Sequence, residues 1–195
     1  MFAELLLQKL SGIVELSSEQ IAILQEHYEL LLRWNRKLNL TAIDTLEEAV
    51  ERHYCESLFL GVHLPSRPMS IADVGSGAGF PGFPVAVLRT DCQVTLIESH
   101  VRKAVFLREA SRNLTNMRVL TMRAEQVQTT FDSVISRAVS YEDLAPMLRR
   151  IGRRADLLTG GEAPPSALAG FHWLRPVPLP WGTQRFLRTG VSRET

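Results

Sequence analysis

Ile71-Ala72-Asp73-Val74-Gly75-Ser76-Gly77-Ala78-Gly79-Phe80-Pro81-Gly82 decides how the chain is read. An apolar run that holds a single acid passes into a loop with glycine at every second position, and a proline follows. Glycine at Gly75, Gly77 and Gly79 lets the backbone approach a ligand with no β-carbon in the way. Proline suits the first turn of a helix, so Pro81 and Pro84 mark a helix start. Strand, glycine loop and helix in that order place the loop beyond the carboxyl end of the first strand of an open parallel sheet, where such folds bind ligands.

The chain on either side agrees. Downstream, β-prone runs at Ser70–Val74, Gln93–Ile97, Met117–Met122, Phe131–Ser136 and Ala155–Thr159 alternate with helical stretches at Pro81–Thr90, Val101–Leu114, near Glu125 and at Tyr141–Gly152. This alternation predicts an α/β fold with a Rossmann-like, doubly wound, mostly parallel sheet and right-handed crossovers. Upstream, Ser17 with Gln20 forms a capping box, and Ile21, Leu24, Tyr28, Leu31, Trp34 and Leu38 recur at helical spacing. Thr45 opens a second helix running to about Leu60, and a short one covers residues 2–10. The expected organisation is a helical region over 1–64 packed on a core over 65–195. The core ends in a proline-rich segment, where Phe171–Val177 and Gln184–Arg188 pair antiparallel about Pro180-Trp181-Gly182.

Composition excludes several classes. The 195 residues are 45% hydrophobic and 22% charged, the balance of a globular protein able to bury a core without staples. Cys55 and Cys92 form no metal or disulfide motif, and no apolar run reaches a membrane span or a signal peptide. A cytoplasmic protein is expected, with a monomer as the default. Residues 1–51 hold nine acids against four bases, whereas residues 102–154 hold eleven bases against five acids. Nineteen of the 22 basic residues are arginine, whose planar fork suits phosphates and base edges, so a nucleic-acid face competes evenly with plain solvated helices. The five histidines lack metal-ligand spacing, so no metal is expected. His53 reads as a buried anchor, and Trp34 as core rather than a stacking platform.

Two ligands compete for the loop. Gly77-x-Gly79-x-x-Gly82 satisfies the dinucleotide pattern, which alone is weak. Asp73-x-Gly75-x-Gly77-x-Gly79 resembles motif I of the S-adenosylmethionine-dependent methyltransferases. The sulfonium and ammonium of that cofactor favour a carboxylate at Asp73. Its ribose hydroxyls favour an acid at the end of the second strand, and Glu98 stands there. Arg123-Ala124-Glu125 follows the third strand, where the backbone of Ala124 and Glu125 suits the purine edge; a bland helix cap is the alternative for Glu125. Ser136-Arg137-Ala138 follows the fourth strand, near the transferred methyl group. It is unlike the Asn/Asp-Pro-Pro-Tyr of enzymes acting on exocyclic amines. Arg137 offers a fixed cation there, or else a simple ion pair with Asp132.

Trp34-Asn35-Arg36-Lys37-Leu38-Asn39-Leu40-Thr41, Arg52-His53-Tyr54-Cys55-Glu56-Ser57, the glycine loop, Val94–Ser99, Arg123-Ala124-Glu125 and Ser136-Arg137-Ala138-Val139, in that order, resemble the ribosomal RNA small-subunit methyltransferase G family, also called glucose-inhibited division protein B. The resemblance covers about residues 17 to 161. It implies a class I methyltransferase fold and methylation of guanine N7 in 16S ribosomal RNA of the small subunit, with S-adenosyl-L-methionine converted to S-adenosyl-L-homocysteine. It also implies cofactor contacts at Gly75, Phe80, Ala124, Glu125 and Arg137. Two departures stand out: Glu56 replaces the family's usual aspartate, and Thr159-Gly160 replaces a usual Lys-Gly. Guanine N7 carries a lone pair and no proton, so in-line attack needs no general base. Arg137 and Arg123 are the expected catalytic residues, orienting cofactor and RNA, with Asp73 and Glu98 holding the cofactor. A nicotinamide-dependent oxidoreductase, a methyltransferase with another acceptor and a non-catalytic RNA-binding homologue are the alternatives.

Overall fold

A computed structural model describes residues 1–162, 164, 168 and 170–193; Pro165, one of the tail prolines, lies outside them. Three segments precede the sheet. Helix α1 (Phe2–Leu10) leads to α2 (Ser18–Leu38), whose N-terminus closes with the expected reciprocal bonds between Ser17 and Gln20. The helix expected from Thr45 is found in three consecutive pieces: α3 (Leu46–Ala49), a π-helical stretch over Val50–Cys55, and α4 (Glu56–His63). Lys9 of α1 ties to this run through Glu47 at 3.0 Å and Glu51 at 2.5 Å.

The sheet then builds from β1 (Ser70–Val74), β2 (Gln93–Ile97), β3 (Met117–Leu120), β4 (Ser133–Arg137) and β5 (Arg154–Thr159). Between them run α5 (Gly82–Leu88), α6 (Val101–Ser111), a 3₁₀ turn at Ala124–Gln126 and α7 (Tyr141–Ile151). The five strands are parallel in the order β3-β2-β1-β4-β5, so the order reverses at β1 and opens a crevice beyond its carboxyl end.

The chain closes with β6 (Phe171–Trp173), β7 (Val177–Pro178) and β8 (Phe186–Ser192). The expected antiparallel pair forms around residues 179–185, but the Phe171–Val177 run is broken into β6 and β7. Both pair with β8, which inserts antiparallel beside β5 along six residues. No described helix is long and apolar enough to cross a membrane.

Successive strand residues face opposite sides, and each side has its own core. Ile71, Leu96 and Ile135 pack with α1, α2, the π-helical stretch, α4, α5 and α6, through Leu6, Leu24, Tyr54, Leu58, Phe83 and Phe106. Ala72, Ile97 and Val134 pack with α7 and β6, through Leu148, Ile151 and Phe171. The N-terminal helices thus share one continuous apolar cluster with one face of the sheet. They place their side chains directly behind the glycine loop.

Candidate active site

The loop between β1 and α5 is held from three directions. From the neighbouring strand, Ile97 O accepts from the N–H groups of Gly75 and Ser76 at 3.0 and 3.2 Å. Glu98, which follows β2, accepts from Gly77 N–H at 2.9 Å through one carboxylate oxygen and from His100 N–H at 2.7 Å through the other. From below, Asp73 is fully buried, and its Oδ2 accepts from Gly82 N–H at 2.9 Å, capping α5. A β-carbon on Gly82 would stand 2.4 Å from Leu96 and 2.6 Å from that carboxylate oxygen, so only glycine admits this approach. Asp73 Oδ1 has no hydrogen-bond partner among the described residues. Burial pushes the Asp73 carboxyl up to about 7, against the pull of its Gly82 and Ser76 partners.

The third hold comes from α2. His27, buried, donates from Nε2 to Ala78 O at 3.1 Å, because a carbonyl only accepts. Its Nδ1 then accepts from the Tyr54 hydroxyl at 2.8 Å. Gly79, at φ +92°, would bring a β-carbon to 3.3 Å from the same imidazole. His27 stacks on Phe83 at 4.1 Å and meets Phe106 edge-on at 5.7 Å; Trp34 also meets Phe106 edge-on, at 5.9 Å. Burial lowers the His27 pKa to about 3, so the ring is neutral.

Arg137 ends β4 beside this loop. Its Nη1 donates to Arg52 O and its Nη2 to His53 Nδ1 at 2.7 Å. An arginine offers no acceptor, so His53 keeps its proton on Nε2 and donates it to Thr41 Oγ1 at 2.8 Å. Burial, then the Arg137 charge, lowers the His53 pKa to about 2. The ring lies flat on Phe80 at 4.4 Å, and the Arg137 guanidinium sits 5.5 Å from the same phenyl. Burial also lowers the Arg137 pKa to about 10, which leaves it a cation. The chain then turns through Ala138 at φ +59°, a conformation that non-glycine residues adopt at a cost. His53 is the buried anchor foreseen, whereas Asp132 is bound to Ser70 at 2.8 Å, and His53 and Arg52 are the partners Arg137 has instead.

Arg137 and Ala138 open onto a cleft of about 1610 Å³ at the carboxyl ends of β4 and β5, with Arg52, Glu56, Tyr141 and Arg185 among its walls. Glu56 is fully buried and pairs with Arg185 through contacts of 2.6 and 2.7 Å. Burial raises its pKa to about 7, with Arg185 the largest opposing influence. Thr159 stands on the same rim and accepts from Arg188 Nε at 3.1 Å.

Not every residue singled out in the sequence converges there. Gly75, Gly77, Gly79, Phe80, Glu98 and Asp73 gather around the loop. Ala124 is buried and Glu125 exposed in the 3₁₀ turn after β3. Arg123 is exposed at the start of that turn. Two strands separate β3 from β4, so with adjacent strands about 4.8 Å apart, Arg123 and Arg137 leave strands roughly 14 Å apart. They stand apart along the carboxyl edge of the sheet. Sequence reasoning missed His27 and Arg185. His27 falls on the buried stripe of α2 with Leu24 and Leu31, a polar ring on an apolar face; Arg185 carries no local signal.

Comparison with known proteins gives a concordant result. The family profile described as GidB, rRNA small subunit methyltransferase G, matches residues 20–156. A ribosomal RNA small subunit methyltransferase G from Chromobacterium violaceum is 42% identical over 131 residues, covering 65% of this chain and 62% of that protein. One from Aquifex aeolicus is 40% identical over 143 residues, covering 70% and 73%. The chain thus spans less than two thirds of the Chromobacterium relative. The solved magnesium protoporphyrin IX methyltransferase from Synechocystis PCC 6803, with bound S-adenosylmethionine, superposes with a TM-score of 0.61 at 15% identity. It covers 92% of this chain and 99% of the other, a likeness of fold.

Proposed function

Because the chain belongs to the rRNA small subunit methyltransferase G family, we propose that it transfers a methyl group from S-adenosylmethionine to N7 of a guanine in 16S ribosomal RNA, in the cytoplasm and as a monomer. The donor set fits that cofactor. Glu98 supplies carboxylate oxygens at the end of β2 for ribose hydroxyls, at present shared with Gly77 and His100. Gly75, Gly77, Gly79 and Phe80 line the approach, and Asp73, its carboxyl raised by burial to about 7, gives up its proton more readily once a cationic tail lies above it. The turn at Ala124 and Glu125 offers backbone N–H groups to the adenine edge, with Arg123 at its outer end.

When bound, the cofactor supplies an electrophilic methyl on a sulfonium. Guanine N7 carries a lone pair and no proton, so an acceptor of this kind would need no general base from the chain. The chain's work is therefore positioning and electrostatics. Arg137 carries this reading: a cation fixed by Arg52 O and a neutral imidazole, against Phe80, where the loop meets the cleft. Its remaining N–H groups hold the base or its phosphate. The cleft, bordered by Arg52, Arg137 and Arg185, admits the nucleotide.

The test incubates the protein with methyl-labelled S-adenosylmethionine and small ribosomal subunits that lack the modification, followed by nuclease digestion. Label in 7-methylguanosine is expected, and Arg137→Ala lowers kcat by about 100-fold or more, the scale of losing a positioned charge. Label in another nucleoside, or none with cofactor binding intact, overturns the reading. An unchanged kcat in Arg137→Ala removes Arg137 from its role.

A further inference from the structure

Arg150, on the last turn of α7, makes a set of contacts that its exposed position does not require. Its guanidinium donates to three backbone carbonyls of one neighbouring turn: Val127 O through Nη1, and Ala124 O at 3.2 Å and Glu125 O at 2.8 Å through Nη2. No other described arginine side chain grips three carbonyls of one turn. An arginine fork closed on a carboxylate is common; one closed on three successive-turn carbonyls fixes backbone direction.

A trans peptide is planar, with its C=O and N–H pointing opposite ways. Holding Ala124 O therefore aims Glu125 N–H away from Arg150, and holding Glu125 O does the same for Gln126 N–H. Gln126 N–H is already committed to Arg123 O at 3.0 Å. Glu125 N–H has no acceptor among the described residues, as the leading N–H groups of a helical turn do not. The turn itself is three residues long, and Ala124 O is shared between Val127 N–H at 3.2 Å and Arg150, whereas Glu125 O has Arg150 as its hydrogen-bond partner.

We propose that Arg150 is a positioning residue for cofactor recognition, setting the direction of the Glu125 N–H so that it meets the acceptor nitrogen N1 of an adenine ring. This rests on the cofactor reading above. Adenine presents a lone pair at N1, whereas hypoxanthine presents an N1–H; a fixed N–H donor accepts the first and opposes the second. Arg150 thereby contributes to base selectivity in the cofactor without touching the ligand.

The experiment measures the affinity of the full chain for S-adenosylhomocysteine and for S-inosylhomocysteine by calorimetry, in the wild type, Arg150→Met, Arg150→Lys and Arg149→Gln. Arg149→Gln removes the same charge from the same helix turn without touching the three carbonyls. The wild type should prefer the adenosyl ligand by about tenfold or more, the scale of one hydrogen bond made against one opposed. Arg150→Met should lower that ratio at least about fivefold, mainly by weakening the adenosyl ligand, and Arg149→Gln should keep it. Arg150→Lys, a point charge that cannot span three carbonyls, should fall between them, and it decides the matter should Arg150→Met fail to melt cooperatively. A preserved ratio in folded Arg150 variants overturns the proposal while leaving the cofactor reading intact. A wild type that binds both ligands equally overturns the proposal as well, since the Glu125 N–H then does not read N1; one that binds neither overturns the cofactor reading itself.

Discussion

His27 and His53 are held in the same tautomer by opposite means: His27 by the carbonyl it donates to, His53 by the guanidinium it must accept from. With both rings neutral down to about 3 and 2, neither is available as a proton carrier. Ring nitrogen shifts measured by NMR should report the Nε2–H form for both from pH 5 to 8. A titration in that window would contradict the assigned network. Asp73 has the reverse character. Its carboxyl is raised to about 7 in the fold from an ordinary value of 3.8, so the folded state binds the extra proton between those limits. The stability it contributes is fully present below about pH 4 and is lost as pH rises to about 7. Asp73→Asn keeps an acceptor for Gly82 N–H and removes that dependence. Denaturation curves should show the variant gaining on the wild type steadily from pH 4 to 7, while the opposing contribution of the histidines cancels in the comparison. Asp73 and Glu98 were legible because strand ends are readable and acids there are conspicuous. His27 was hidden because its role depends on where α2 lies against the loop, which no local spacing encodes.

Helix α5 begins where it does because Gly82 lets its first turn descend onto Asp73 and Leu96. Gly82→Ala forces a methyl into space that two side chains already occupy. Overpacking of this kind costs about 1–3 kcal/mol, and the displaced turn carries the loop with it. The variant should lose both several degrees of Tm and measurable cofactor affinity; retention of full affinity would mean that the loop is indifferent to its helix. The strands β1 and β2 matched their expected limits because compact apolar runs lie between turn residues. The π-helical stretch at Val50–Cys55 did not show in advance, since its side chains alternate much as they would in an α-helix and only the hydrogen-bond spacing differs. Strand β8 runs beyond Arg188 because Thr189 and Gly190 are interior: Thr189 bonds Asp156 at 2.7 Å, and Gly190 lies under the Trp173 ring. Polar and small residues there read as loop until their neighbours are known.

Across the whole molecule, the cleft is closed on one side by a contact between distant segments, Glu56 at the start of α4 and Arg185 before β8. Removing one member of a buried pair leaves an uncompensated charge, at a cost of about 3–5 kcal/mol. Arg185→Met should therefore be strongly destabilised at pH 8 and less so at pH 5, where Glu56 takes up a proton. The double variant with Glu56→Gln should recover most of the loss, and equal destabilisation at both pH values would show that packing rather than charge is at stake. The same long-range logic runs through α2. Trp34 touches Phe106, Phe106 touches His27, and His27 holds the carbonyl of Ala78 in the glycine loop. With Trp173 and Trp181 replaced by phenylalanine, the indole that remains is a built-in optical gauge. A nucleoside arriving at the loop, two ring contacts and one hydrogen bond away, should change its emission, with no dye attached and no label on the ligand.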